Sequence, residues 1–105
     1  MLTDQSEILA RMKIEILSVI PEARIFLFGS RSRGDFNDES DWDILIITET
    51  APDRMLKTKI HEKLFPLSLE IYSFINTIIV SENDWLNSPS YYSLHLNTAN
   101  ETISL

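Results

Sequence analysis

Residues 25–47 read IFLFGSRSRGDFNDESDWDILII, two apolar runs separated by a polar connection that contains two glycines. The first run, Arg24–Phe28, is closed by Gly29, and the second, Trp42–Ile47, is rich in β-branched residues. Short apolar runs bounded by turn residues are typical of buried strands, because helices need greater length. The segment therefore predicts two buried strands, with a polar loop from Ser30 to Ser40 between them.

The flanking sequence predicts helices and one more strand. Apolar residues recur at helical spacing from Ile8 to Ile20, after a candidate capping box at Asp4 and Glu7. A second helix is predicted from Pro52, and Pro66 should kink or end it. Residues 67–72 fit a strand or a helix equally well. A third strand over 74–80, the start of a short helix over 81–85 and a tail from about residue 88 complete the chain.

Length and composition predict one domain over residues 1–105. With 44% apolar residues, a chain of this length can bury a single core without metal or disulfide support. The absence of cysteine excludes disulfide scaffolds, thiol catalysis and cysteine zinc sites. The N-terminal stretch mixes charges into its apolar residues, and no run of eighteen apolar residues occurs, so we expect neither a signal peptide nor a membrane span. Cytoplasmic localisation is the resulting expectation.

The net charge of −7 is concentrated in one segment. Residues 1–34 sum to +1 and residues 54–105 to −1, whereas residues 35–53 hold seven acids and no base. Such a run is usually a solvated loop, which is the interpretation kept for Asp35, Asp38 and Glu39. Asp41 and Asp43 differ, because alternation along a strand would aim both carboxylates at one face, about 7 Å apart.

Two carboxylates aimed together repel each other unless a cation lies between them. Mg²⁺ binds through one or two carboxylates together with substrate phosphates, so Asp41 and Asp43 are predicted metal ligands. Gly29 would let the backbone approach a phosphate, Ser30 would open a short helix facing it, and Arg33, with Arg31 as a second candidate, would offset its charge. A Walker loop and a calcium loop are excluded, because the required Lys after the second glycine and the required Gly and Glu are missing.

These motifs resemble the minimal nucleotidyltransferases of the DNA polymerase β superfamily. Their pattern is an apolar strand, Gly-Ser, a small-residue and Arg-Gly segment, and Ser-Asp-x-Asp opening an apolar strand. Here it reads GSRSRG at residues 29–34 and SDWDILI at residues 40–46, with Ser32 where alanine is common. The resemblance implies an α/β (α+β) fold of the polymerase β palm type, a small mixed β-sheet with flanking helices.

The resemblance also implies a third carboxylate on the strand after the second helix. Asn76 stands at the matching position, and the nearest upstream acid is Glu70, which could serve as a metal ligand if a strand began near Leu67. Asn76 would be a weaker ligand and cannot act as a base. Glu70 and Asn76 therefore remain alternatives for the third position.

Two functions follow from the resemblance. The first is Mg²⁺-dependent transfer of a nucleoside monophosphate, AMP from ATP, to a hydroxyl of a protein or small molecule, with Asp41 and Asp43 as catalytic residues. The second is a catalytically weak, nucleotide-binding antitoxin that neutralises a helical HEPN-type partner by binding. The acidic net charge argues against nucleic acid as the acceptor, because a phosphate backbone calls for clustered Lys and Arg.

Overall fold

The computed structural model describes residues 4–34, 37, 40–89 and 103–105, without the side chain of Arg33. The predicted solvated acids Asp35, Asp38 and Glu39, and most of the predicted tail, lie outside the described residues. The elements in chain order are α1 (Gln5–Val19), β1 (Arg24–Phe28), α2 (Ser30–Arg33), β2 (Trp42–Thr48), α3 (Arg54–Ile71), β3 (Ile75–Ser81), α4 (Glu82–Asn87) and β4 (Ile103–Ser104). None of the helices in these ranges is long and apolar enough to cross a membrane.

The described strands form a mixed sheet in the order β3-β2-β1-β4, which confirms the predicted fold class. Strand β2 runs antiparallel to β1 and parallel to β3. In this register Asp43 lies opposite Phe28 on β1 and opposite Asn76 on β3. The beginning of β2 is therefore flanked by the end of β1 and the beginning of β3, where the sequence places its polar residues.

The two helices α1 and α3 cover one face of the sheet. Met12 and Ile16 of α1 and Ile60 of α3 are completely buried and form a single cluster with apolar side chains of the strands. Alternate residues of β2, among them Trp42 and Ile44, point into this cluster. The intervening residues Leu45 and Ile47 belong to a second, smaller cluster with Val80, Phe26, Phe28, Ile78 and Trp85. By the same alternation, Asp43 projects on the side of that smaller cluster.

Side-chain caps fix where the helices begin. Asp4 accepts a hydrogen bond from the Ser6 N–H at 3.0 Å, and Ser81 accepts one from the Asp84 N–H at 3.1 Å. Asp53 accepts from the Leu56 N–H at 2.8 Å, so α3 begins at Arg54, two residues later than the predicted start at Pro52. Each cap satisfies a backbone donor that the helix itself leaves unpaired.

Pro66 does not end α3, which corrects one of the two outcomes predicted for it. The helix continues to Ile71, and Tyr72 ends it in the left-handed conformation at φ 55°. Pro66 is exposed, so the carbonyl that loses its partner can be solvated, while the buried Leu64 and Leu67 hold the helix against the core. The ambiguous segment 67–72 is thus helical up to Ile71, and β3 begins only at Ile75.

The end of the chain adds a strand that the sequence interpretation did not include. Residues Ile103–Ser104 form β4 and pair antiparallel with Leu27 and Phe26 of β1. The Leu105 N–H also donates to the Ile25 carbonyl at 2.9 Å. This short strand covers the edge of β1 that faces away from β2 and β3.

Candidate functional site

The beginning of β2 brings the two predicted metal ligands together. Asp41 lies just before the strand and is exposed, and Asp43 lies within it and is half-buried. The side-chain amide of Asn76 donates to the Asp41 Oδ2 at 3.2 Å and to the Asp43 Oδ1 at 3.3 Å. One amide group therefore bonds both carboxylates. We call Asp41 and Asp43 the acidic pair, and the uncharged Asn76 side chain lies beside them.

Asn76, and not Glu70, occupies the strand position next to the acidic pair. The parallel register sets Asn76 directly beside Asp43. Glu70 lies in the last turn of α3 and is exposed, so the hypothesis that a strand beginning near Leu67 carries it is wrong. The reason is that residues 67–71 follow the helical register that buries Leu67 in the core. Among the described residues no three His, Cys, Asp or Glu side chains gather at one point, so Glu70 does not complete a three-carboxylate cluster with Asp41 and Asp43.

Gly29 forms the wall of the site on the β1 side. It precedes α2 with φ 78°, a backbone conformation that residues with a side chain rarely adopt. A Cβ at this position would overlap the Oδ2 atom of Asp43. Glycine is thus required both by the backbone conformation and by the close approach of the carboxylate. Ser30 follows immediately as the first residue of α2, as predicted.

Arg31 is built into the structure of the site. Its guanidinium donates from Nε and Nη2 to the Ser40 carbonyl at 3.1 and 2.9 Å, and from Nη2 to the Asn37 carbonyl at 3.3 Å. The same group lies over the Trp42 ring, 4.1 Å from its centroid. Arg31 is 7% exposed. It therefore ties α2 to the residue that precedes Asp41, a role that the sequence interpretation missed when it considered only phosphate contacts.

The remaining predicted contact, Arg33, belongs to α2 by its backbone, and its side chain lies outside the described residues. Its role therefore stays a prediction. Only the position of Arg33 supports that role: it lies on α2, which begins directly after Gly29, and Gly29 lies against Asp43.

An apolar groove lies on the face of the sheet that α1 and α3 cover. It is a cavity of about 450 Å³ between the C-terminal half of α3 and the beginning of β3, lined in part by His61, Phe65, Leu69, Tyr72, Phe74 and Ile75. The Phe74 carbonyl accepts a hydrogen bond from the N–H of Trp42 at 2.9 Å. Trp42 is the residue between Asp41 and Asp43 in the sequence. Tyr72 and Phe74 are 76% and 77% exposed. The sequence did not indicate this groove, because its shape depends on where α3 ends.

Comparisons with known proteins agree with this geometry. The family model for the nucleotidyltransferase domain matches residues 8–88, which is more than half of the chain and includes the acidic pair and the groove. A relative from Methanocaldococcus jannaschii, named as a proposed protein adenylyltransferase, is 36% identical over 75 residues. Those residues are 70% of this chain and 76% of the relative.

Solved structures share the fold. A chain of a toxin–antitoxin complex with AMP-PNP superimposes with a TM-score of 0.62 at 24% identity, over 89% of this chain and 68% of that one. A complex of the tri-AMPylated Shewanella oneidensis HEPN toxin with its MNT antitoxin gives a TM-score of 0.56 at 21% identity, over 92% and 70%. At these identities the similarity establishes the architecture alone.

Proposed function

Because this chain belongs to the nucleotidyltransferase domain family, we propose that it transfers AMP from ATP to a hydroxyl group of an acceptor protein. The observation that carries the proposal is the packing of Gly29 against Asp43, with Asp41 and Asp43 joined by the Asn76 amide. Two adjacent carboxylates beside a glycine turn give a place where a triphosphate and its counter-ion can be held together.

The residues present fit a magnesium ion. Asp41 and Asp43 are hard oxygen donors that share one hydrogen-bond donor, which places both carboxylates at one point. Mg²⁺ is commonly held by one or two carboxylates while phosphate oxygens complete its shell. When bound, the ion would neutralise charge on the triphosphate and polarise the α-phosphorus. Asn76 supplies a neutral amide where the resemblance implies a third carboxylate, so the residues suit one ion better than two.

The chain's own residues would position the triphosphate and accept the proton of the acceptor hydroxyl. Gly29 has no side chain, so the Asp43 carboxylate can lie against its backbone, and Ser30 and Arg33 lie on the helix that follows. The acceptor oxygen forms a bond to the α-phosphorus while the bond to the bridging oxygen breaks and pyrophosphate leaves. Asn76 cannot accept the hydroxyl proton, which therefore goes to Asp41, Asp43 or water.

The relatives support a protein acceptor and an adenine nucleotide. The Methanocaldococcus jannaschii relative is named for adenylyl transfer to protein, and the structural neighbours include an AMP-PNP complex and an AMPylated HEPN toxin. We therefore propose ATP as the donor and a helical HEPN-type protein as the acceptor.

The test is transfer of radiolabel from α-labelled ATP with Mg²⁺ to a purified HEPN-type protein. Label should appear on the acceptor and pyrophosphate in solution, and Asp43→Asn should lower the rate at least about 100-fold, since it removes a ligand and a charge. Asp53→Asn is the matched control, because Asp53 caps α3 and only stability should change. Transfer that continues unchanged in Asp43→Asn would contradict the proposal.

A second function, neutralisation by binding alone, is favoured by one observation. The third position carries Asn76, whose amide already bonds both carboxylates, and this arrangement weakens the case for rapid transfer. In that case the HEPN-type protein would form a stable complex without becoming labelled, and the complex would survive Asp43→Asn. Label that accumulates with turnover would exclude this alternative.

A further inference from the structure

Strand β3 forms an open edge of the described sheet. The strand order β3-β2-β1-β4 places β3 at one end, with β2 as its one neighbour among the described residues. The opposite edge, on β1, is covered by β4. Backbone N–H and C=O groups that point outward from an edge strand can pair with another strand. The outer side of β3 is therefore the side on which the sheet can be extended.

Alternate residues of β3 direct their backbone groups outward. In the parallel pair Trp42 lies opposite Ile75, and the Trp42 N–H donates to the Phe74 carbonyl. The even-numbered residues of β3 therefore direct their groups towards β2, and the odd-numbered Ile75, Thr77 and Ile79 direct theirs away. No backbone hydrogen bond within the described part of the chain pairs these outward groups. The helices pack on the faces of the sheet and do not reach groups that lie in its plane.

The outward groups are spaced so that β3 can pair with its own copy. In antiparallel strands, two residues that face each other with both backbone groups exchange two hydrogen bonds. A two-fold axis at Thr77 sets this residue opposite Thr77 of the second copy. It also sets Ile75 of each copy opposite Ile79 of the other. Every outward N–H and C=O of the three residues then has a partner.

The sequence of β3 contains none of the usual obstacles to such pairing. Natural edge strands are commonly protected by charged side chains, by proline or by a bulge. Residues 72–81 read YSFINTIIVS, with no charge and no proline, and the register with β2 is continuous. A two-fold axis places identical residues opposite each other, so a charge on it would repel its own copy. Thr77 carries no charge, and Thr–Thr pairs across strands are favourable.

Exposed apolar side chains lie at both ends of β3. Tyr72 and Phe74 precede the strand and are 76% and 77% exposed, and Leu86, on the helix that follows it, is 65% exposed. An antiparallel copy brings the end of its strand to the beginning of the first one. The two sets of side chains then meet twice, once at each end of the interface. A stable interface buries about 1,200 to 2,000 Å², which needs such flanking contacts beside the paired strands.

We propose that a second copy of this chain pairs with the outer edge of β3, antiparallel and centred on Thr77, so that the two sheets become one. The axis is perpendicular to the sheet, so α1 and α3 of both copies cover the same face. Both copies of Asp43 then lie on the other face, the side of the smaller cluster. The dimer needs neither nucleotide nor acceptor, so it is independent of the proposed function.

Hydrogen exchange of the unaltered chain tests the pairing residue by residue. Amide exchange is followed by NMR in dilute and in concentrated protein, and sedimentation gives the mass at each concentration. The amides of Ile75, Thr77 and Ile79 should exchange at least about tenfold more slowly in the dimer, because pairing protects them. The amides of Asn76 and Ile78 face β2 in both states, so they should change less than about twofold and serve as internal controls.

Two substitutions at Thr77 test the same contact. Thr77→Pro removes an N–H that points away from β2, so the pairing of β3 with β2 is kept while the centre of the dimer is lost. The dissociation constant of the dimer should rise at least about tenfold. Thr77→Val is the matched control, since it keeps the N–H and removes a buried hydroxyl that has no partner. It should dimerise like the unaltered chain.

Salt should strengthen the dimer, because each copy carries a net charge of −7 and screening weakens their repulsion. A chain that sediments as a monomer at every concentration would overturn the proposal. So would a dimer in which the amides of Ile75, Thr77 and Ile79 stay unprotected, since another surface would then hold it. Protection of these amides in the dilute monomer would show that the chain covers its own edge. A monomer that binds a different protein, and loses it in Thr77→Pro, would assign the edge to that protein. If Thr77→Pro does not fold, the exchange experiment still decides.

Discussion

Gly29 and Asp43 occupy adjoining space so closely that a Cβ at residue 29 would overlap the Asp43 carboxylate. The contact follows from the antiparallel pairing of β1 with β2, which sets Phe28 opposite Asp43 and turns the chain at the next residue. One glycine therefore determines both the direction in which α2 leaves the sheet and the position of an acid of the site.

Gly29→Ala should reduce both stability and nucleotide binding. The backbone at residue 29, with φ 78° and ψ −160°, lies in a region that essentially only glycine adopts, so an alanine costs about 1 to 3 kcal/mol, and the added methyl group displaces the Asp43 carboxylate. We expect affinity for an ATP analogue with Mg²⁺ to fall at least about tenfold, measured by calorimetry beside a urea unfolding curve.

Gly34→Ala separates the two effects of that substitution. Gly34 also has a positive φ, 85°, but a Cβ there meets nothing within 4 Å. It should lose about 1 kcal/mol of stability, at the lower end of that range, because φ 85° with ψ 1° is the milder left-handed conformation, and its ATP affinity should change little. Equal loss of ATP affinity in both variants would show that backbone strain, and not the contact with Asp43, is responsible.

Arg31→Met should destabilise the protein more than an ordinary surface substitution. It removes hydrogen bonds to the Ser40 and Asn37 carbonyls and the contact over the Trp42 ring, all in a nearly buried setting. A loss of about 1 to 3 kcal/mol in the free energy of unfolding is expected, because the part-buried carbonyl acceptors are left without this partner.

Arg24→Met provides the comparison for Arg31→Met. Arg24 pairs with Glu82 at 3.3 Å, but both side chains are about half exposed. Removing such a pair should change the free energy of unfolding by less than about 1 kcal/mol in urea denaturation. If the two variants were equally stable, Arg31 would have no special structural role.

The elements of the fold that depend on local patterns were predictable from the sequence. The strands β1 and β2 follow from apolar runs bounded by Gly29 and Thr48, and Asp41 and Asp43 share a face because strands alternate. The alternation is a property of a few consecutive residues, so no knowledge of the distant chain was needed.

The elements that were missed depend on contacts between distant parts of the chain. The sequence 67–71 fits a helix or a strand, and only the burial of Leu67 against the core selects the helix, which removes Glu70 from the site. The apolar groove exists because α3 ends at Ile71 and β3 starts four residues later. Likewise, the stacking of Arg31 on Trp42 joins residues on opposite sides of a loop.

Glu70→Gln should leave AMP transfer unchanged within about twofold. Glu70 is exposed in the last turn of α3 and does not cluster with Asp41 and Asp43 among the described residues. Surface substitutions of this kind alter stability by less than about 0.5 kcal/mol. The transfer rate with α-labelled ATP and the thermal midpoint measure both expectations, and a strong loss of transfer with unchanged stability would restore Glu70 as a metal ligand.

Asn76→Asp should make the stability of the protein depend on Mg²⁺. The substitution replaces an amide that donates to Asp41 and Asp43 with a third carboxylate, which repels both. In EDTA the free energy of unfolding should fall by about 1 to 3 kcal/mol, because two hydrogen bonds are replaced by repulsion. Millimolar Mg²⁺ should recover most of the loss, since the extra ligand strengthens the ion's site. Asn83→Asp, on the exposed first turn of α4, is the control and should show no dependence on Mg²⁺. A thermal midpoint of Asn76→Asp that is the same in EDTA and in Mg²⁺ would contradict the assignment of an ion to Asp41 and Asp43.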